Sequence, residues 1–346
     1  MKKILLSLAA VCCLGGAAAA KQPLYKNRKA PIERRVEDLL ARMTLHEKVL
    51  QLQNREAGKL GELEDRFHGE SVGTVHEMGH DAAECQRIIG ELQEYMFTKT
   101  RLGIPALTCV EGIQGVLQNG ATLFPHSIAQ GSTFNPALIE RMTDACGREA
   151  AAMGLHQILS PVLDIARELR WGRIEETFGE DPYLASETAV QYIEGMQSEG
   201  VMATIKHFAG NNQEWDRHQV SSDIDERTLH EIYLPAFRKA VEQAGVGAVM
   251  SSYNLVNGQH ATENEQLAVD ILRGMWGFEG IFMSDWNATY SAEGAANRGL
   301  DLEMPSARFM NARNLRPLIE SGVVSERTID LKCQHILQTL IAFGFL

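Results

Sequence analysis

The stretch AGVGAVMSSYNLVNGQHATENEQLAVDILRGMWGFEGIFMSDW, residues 244–286, holds one full cycle of the pattern that decides the fold. A short β-branched and apolar run, Val246 to Met250, leads into polar and turn-forming residues. A stretch with helical periodicity follows, Glu265 to Met275, and then a second apolar run, Gly280 to Met283. Strand, polar loop, amphipathic helix and strand in that order make a βα repeat, because the helix carries the chain back so that the next strand runs parallel to the last.

Outward from this stretch the same cycle recurs. Further candidate strands are Ser71 to Val75, Ala106 to Val110, Gln157 to Val162 and Val201 to Ile205, and further helical stretches are Pro136 to Met153, Tyr183 to Glu199 and Glu226 to Gln243. Asn135 can cap a helix whose first position is Pro136 and whose stop is Gly154. Asp225 and Glu226 set acidic groups at the positive start of a helix that runs toward Ala244, with Gly245 after it. At least six repeats with no Pro/Ser-rich linker give an α/β protein, and a single-domain (β/α)8 TIM-like barrel outranks an open doubly wound sheet.

The N-terminus, MKKILLSLAAVCCLGGAAAAKQP, places Lys2 and Lys3 before the apolar run Ile4 to Leu14 and a small-residue stretch ending near Ala20. That is the pattern of a secretory signal peptide over residues 1–20, cleaved on export to the periplasm or the medium, and the apolar run is too short for a membrane span. The about 325 residues left, 21–346, suit one barrel. Cys85, Cys109, Cys146 and Cys333 then remain, scattered and without C-x-x-C spacing, which argues against structural zinc and leaves any disulfide unassigned. The formal net charge of -12 and the lack of a basic cluster exclude nucleic acid as a partner, while a neutral sugar is compatible with them.

The polar residues that interrupt the repeats fall at strand ends. Glu111 follows the strand ending at Val110, Asp164 the one ending at Val162, Lys206 and His207 the one ending at Ile205, Tyr253 the one ending at Met250, and Asp285 the one ending at Met283. The C-terminal rim of a barrel is where active sites are built. Asp285 beside Trp286 pairs a carboxylate that can attack an anomeric carbon with a ring that can pack on a pyranose face, although the same Asp could cap the following helix. Lys206 and His207 can donate hydrogen bonds to sugar hydroxyls, and a buried Lys requires a carboxylate partner. A desolvated Lys206 is also the signature of a Schiff-base aldolase. Arg173, in the charged loop SPVLDIARELRWGRIEETFGEDPYLASE, offers a planar fork for vicinal hydroxyls or for a carboxylate, whereas Asp164, Glu175, Glu176, Glu180 and Asp181 suit ion pairs and caps better than catalysis. His126, His156 and His230 stand without partners at metal-ligand spacing, and GIQGV at Gly112 to Val116 lacks the phosphate-loop pattern. The sequence calls for no metal, no nucleotide and no other cofactor.

Together, RWGRIEETFGEDPYL, IKHFAGNNQE, DERTLHEIYLPAFRKAV, VMSSYNLVNG, LRGMWGFEGIFMSDW and GLDLEMP resemble the N-terminal barrel of glycoside hydrolase family 3, the family of many β-glucosidases and β-xylosidases, from about Pro31 to Leu346. The resemblance implies a retaining, exo-acting β-glycosidase that acts on an oligosaccharide or β-glycoside through a covalent glycosyl intermediate on Asp285 of S-D-W. It implies that Lys206, His207, Arg173 and Tyr253 line the terminal sugar subsite, that Glu111 holds hydroxyls on its far side, and that Trp286 flanks the next subsite.

Two departures from the family pattern stand out. The first is Gln114 in EGIQG, where a His is often found. The second is that the family usually takes its general acid/base from a following α/β sandwich domain, which residues 1–346 do not include, so the second carboxylate is expected from outside this stretch. The loop AGNNQE lacks the G-H-G-D pattern that supplies the acid/base in the hexosaminidase branch. Glu214 and Asp216 are the weaker candidates within residues 1–346. A non-catalytic sugar-binding barrel is the rival reading.

Overall fold

A computed structural model describes residues 22–59, 61–76 and 80–346; the leader expected over residues 1–20 lies outside them. Met202–Phe208 shows why a parallel sheet forms, since all seven of its residues are buried and a strand covered on both faces reads as a nearly unbroken apolar run. The ring has eight strands: β1 (Asn54–Glu56), β2 (Thr74–His76), β3 (Leu107–Val110), β4 (Gln157–Ile158), β5 (Met202–Phe208), β6 (Ala248–Ser251), β7 (Ile281–Trp286) and β8 (Leu302–Met304). They pair in sequence order and in parallel throughout. The ring closes where Gln53 bridges Glu303 and the Glu303 amide donates to the Leu52 carbonyl at 3.0 Å.

The barrel axis is filled by side chains from separate strands. Asn54 donates to Thr74 Oγ1 at 2.6 Å and Gln157 to Thr204 Oγ1 at 2.7 Å, with Met304 and Met283 sulfurs beside them. Such layers make the interior a core and not a pore, so ligands are confined to the mouth. Outside the ring lie α1 (Ala82–Lys99), α2 (Pro136–Ala152), α3 (Pro182–Ser198), shorter helices, and a last helix α4 (Glu326–Ala342). Phe208 points outward from β5 into a cluster with Phe237, Trp276 and Phe282, at ring separations of 5.2, 5.8 and 6.3 Å. Because side chains alternate along a strand, that direction turns the neighbouring His207 inward, toward the mouth.

At the opposite end of the barrel Asp301 ties three elements together. It accepts from Arg273 at 2.5 Å, from the Phe282 amide at 2.8 Å and from His335 at 2.9 Å, while Lys332 of α4 is buried nearby. Among the described residues Cys109, Cys146 and Cys333 are buried free thiols, and Cys85 is buried as well. Among the described residues no helix is long and apolar enough to cross a membrane.

Several expected boundaries shift for physical reasons. The strand expected over Gln157 to Val162 keeps only two residues in the ladder, since Pro161 brings no N–H; its carbonyl and that of Ser160 still accept from Lys206 and Thr204 at 3.1 and 3.0 Å. The strand expected over Ser71 to Val75 forms at Thr74–His76. Instead of one helix from Glu226 to Gln243 there is a turn at Glu226–Thr228, a wide helical turn at Leu229–Tyr233, and a fresh start at Pro235–Glu242. Pro235 cannot donate to residue 231, and the Leu234 amide reaches back to Leu229 O at 3.0 Å, one residue further than an α-helix would. Asn135, Pro136 and Gly154 act at the ends of α2 as expected, with Gly154 in the left-handed region at φ 80°.

Candidate active site

The C-terminal ends of β3, β4, β5, β6 and β7 bring Glu111, Asp164, Lys206, His207, Tyr253 and Asp285 to one rim, linked by a continuous set of contacts. Lys206 Nζ donates to Glu111 Oε2 at 2.7 Å, which supplies the carboxylate that burying this lysine requires. His207 is held twice by Asp164 Oδ2, through its backbone N–H at 2.9 Å and its ring Nδ1 at 2.8 Å. Its Nε2 lies 3.5 Å from Asp285 Oδ2.

Asp285 caps no helix, since the next helix, Ala292–Asn297, is capped by Ser291. Its Oδ1 accepts from the Tyr253 hydroxyl at 2.8 Å and from the Trp286 amide at 2.6 Å, whereas the buried Oδ2 has no hydrogen-bond donor. Burial pushes the Asp285 carboxyl above its ordinary range; the charge of Lys206 and the Tyr253 and Trp286 bonds oppose that rise. Burial also pushes Asp164 up to about 7, against the pull of the His207 amide and Arg173. Burial, reinforced by the charges of Arg173, Lys206 and Arg217, holds His207 well below the usual imidazole range, so the ring is neutral.

Arg173 stands at the same rim with its fork already occupied. Nε and Nη2 reach Glu176 at 3.0 and 2.7 Å, so Glu176 forms the ion pair expected for that loop. Burial works against the Arg173 charge, but the Glu176 pair and the fields of Asp164 and Asp285 outweigh it and raise its pKa. Trp286 meets His76 edge-on at 5.7 Å and lines a groove of about 480 Å³ together with Asn54, Arg55 and Arg66.

Arg217, Tyr290 and His260 also stand at the rim, and these three carried no signal in the sequence. The Arg217 guanidinium lies over the Tyr253 ring, 3.7 Å from its centre, and is paired with Glu214. Glu214 accepts from Trp171 Nε1 at 2.8 Å, which ties the loops after β4 and β5 together. Tyr290 donates to the Tyr253 carbonyl at 2.7 Å and stacks on His260 at 3.4 Å between ring centres. Asp164, read as an ion-pair residue, is in direct contact with the site histidine. Gly112 in EGIQG serves close packing, because a Cβ there would lie 2.2 Å from Ile158 Cγ2.

Residues 76–80 spell H-E-x-x-H, which corrects the reading of the chain as lacking that histidine spacing. That spacing binds zinc when a helix stacks both imidazoles on one face, but His76 ends strand β2 and its Nδ1 is bonded to Asn54 Oδ1 at 2.5 Å. Among the described residues no three His, Cys, Asp or Glu side chains are grouped to hold a metal.

Fold and rim together define a parallel (β/α)8 barrel with a buried carboxylate at its C-terminal mouth. The chain belongs to glycosyl hydrolase family 3, and residues 44–339 match the model of that family's N-terminal domain. It is 43% identical over 251 residues to a β-glucosidase of Rhizobium radiobacter, an alignment that covers 70% of this chain and 31% of the relative. Among solved structures, a β-glucosidase of Erythrobacter marinus superposes with a TM-score of 0.85 at 29% identity, covering 94% of this chain and 47% of the other. An exo-1,3/1,4-β-glucanase of a Pseudoalteromonas species gives a TM-score of 0.82 at 30% identity, with coverages of 90% and 43%. The chain thus spans about a third of the length of the curated relatives it matches.

Proposed function

We propose that this chain is the nucleophile-bearing barrel of a retaining, exo-acting β-glycosidase of β-glucosidase type, exported by its N-terminal leader. The observation that carries this reading is the asymmetry of Asp285: Oδ1 is held by two donors, while Oδ2 has none. Oδ2 attacks the anomeric carbon as the bond to the leaving oxygen breaks, and a carboxylic acid gives that oxygen its proton. Water then displaces Asp285, losing its proton to the same acid, now a carboxylate.

In this scheme Lys206, Glu111, His207, Arg173 and Tyr253 surround the terminal sugar, and Trp286 flanks the unit beyond it. The acid/base comes from outside the described residues. Glu111, Asp164, Glu176 and Glu214 are each engaged by a cation or an N–H group at the rim, which leaves none of them free to donate a proton across the sugar. The Lys206–Glu111 ion pair weighs against the Schiff-base aldolase, which needs a free amine.

A 2-fluoro-β-glucoside with a dinitrophenolate leaving group tests the proposal. Intact-mass spectrometry should show one added glycosyl mass, peptide mapping should place it on Asp285, and Asp285→Asn should take up none. A folded protein that binds glucose yet never becomes labelled would instead be the non-catalytic sugar-binding barrel.

A further inference from the structure

His207 sits between two carboxylates, and its surroundings decide which ring nitrogen carries the proton. Asp164 Oδ2 receives the His207 backbone N–H at 2.9 Å and faces Nδ1 at 2.8 Å, with side-chain exposures of 1% for His207 and 0% for Asp164. The backbone N–H is a fixed donor, so Oδ2 is an acceptor, and a second N–H from Nδ1 completes its coordination. If Asp164 binds a proton, Oδ1 is the place for it, since that oxygen has no other partner. The ring is kept neutral by burial and by the neighbouring Arg173, Lys206 and Arg217. A neutral imidazole with its proton on Nδ1 has a bare Nε2. That nitrogen points to Asp285 Oδ2, 3.5 Å away, an oxygen with no donor of its own.

We propose that Asp164 is a positioning residue that locks His207 in its Nδ1–H tautomer, so that His207 Nε2 and Asp285 Oδ2 form a paired acceptor for one sugar hydroxyl. His207 therefore accepts from the sugar, the reverse of the donor role expected from the sequence. Two facing acceptors repel until a donor enters between them, so the free site carries a mismatch that a hydroxyl relieves. The identity of that donor rests on the glycosidase reading: the hydroxyl on the carbon beside the anomeric centre is the one that adjoins the nucleophile. Sugars lacking it, or carrying an ether there, lose the contact.

The tautomer can be read without any turnover. The full chain is labelled with 15N-histidine and examined by long-range 15N–1H correlation at about pH 8, with the His207 signals assigned by their loss in His207→Gln. Nδ1 should appear protonated and Nε2 bare. Asp164→Asn, whose amide oxygen can stand in the place of Oδ2, should keep that pattern. Asp164→Leu, shown to be folded by its thermal transition, should move the proton to Nε2 and bind D-glucose roughly 10- to 100-fold more weakly. D-glucose should shift the wild-type Nε2 signal, and 2-deoxyglucose should not.

A wild-type His207 protonated on Nε2, or on both nitrogens, overturns the proposal whatever the enzyme hydrolyses. Equal shifts with glucose and 2-deoxyglucose overturn the paired acceptor. An unlabelled Asp285 in a protein that shows the Nδ1–H pattern counts against the glycosidase reading alone.

Discussion

At the scale of single residues, the two oxygens of one carboxylate are set apart. Tyr253 and the Trp286 amide hold Asp285 Oδ1, which fixes the plane of the group, while Oδ2 has no donor, and the proposed attack rests on that difference. Tyr253 also favours the ionised form, since its hydroxyl opposes the rise in pKa that burial imposes. In Tyr253→Phe the carboxyl therefore ionises at higher pH. The acid limb of the labelling rate by the 2-fluoro reagent should move up, with a fall of about tenfold on the acid side and a smaller one on the plateau. An unmoved acid limb would mean that the phenol positions the carboxylate without tuning it. Lys206 announced its need for a carboxylate through the cost of burying an amine, but neither Glu111 nor Asp164 could be named as a partner in advance. They lie 95 and 43 residues from the groups they bind, and only the closed ring brings them together.

At the scale of elements, the strands legible in the sequence were those buried on both faces. β7 opens on the apolar run Ile-Phe-Met and β5 on Met-Ala-Thr-Ile, whereas β1 is Asn-Arg-Glu and β8 is Leu-Glu-Met, three residues each, and neither shows the run or the alternation that marks a strand. They pair because the ring must close, which is a tertiary demand.

The last helix carries a cost of its own. Burial pushes Lys332 from 10.5 down to about 8, opposed by the charge of Asp301. Its folded pKa lies below the unfolded one, so the charged form penalises the native state fully below pH 8, and the penalty fades as pH rises toward 10.5. Lys332→Met should stabilise the protein at neutral pH by on the order of 3 kcal/mol, and the gain should shrink above pH 8. Denaturant unfolding across that range checks it; a destabilised variant would show that the Asp301 attraction outweighs the burial of the amine.

At the scale of the whole molecule, the proposed barrel, with Asp285 as nucleophile and its acid supplied from elsewhere, should discriminate between leaving groups. Given the activated dinitrophenyl reagent, the present chain should be glycosylated on Asp285, because that leaving group needs no proton. With an alkyl glucoside it should turn over about 10²- to 10⁴-fold more slowly than a protein that also carries the acid, a ratio measurable by following glucose release. Equal rates on both substrates would place the acid within the described residues. The sequence by itself determined the repeating βα units, the rim positions of Asp285, Lys206 and His207, and the family, because apolar periodicity and contiguous motifs are local properties of a chain. The tertiary structure alone decided that Asp164 holds His207, that Arg217 covers Tyr253, and which oxygen of Asp285 is free. Those facts depend on distances between loops far apart in sequence, and distances are set only when the barrel closes.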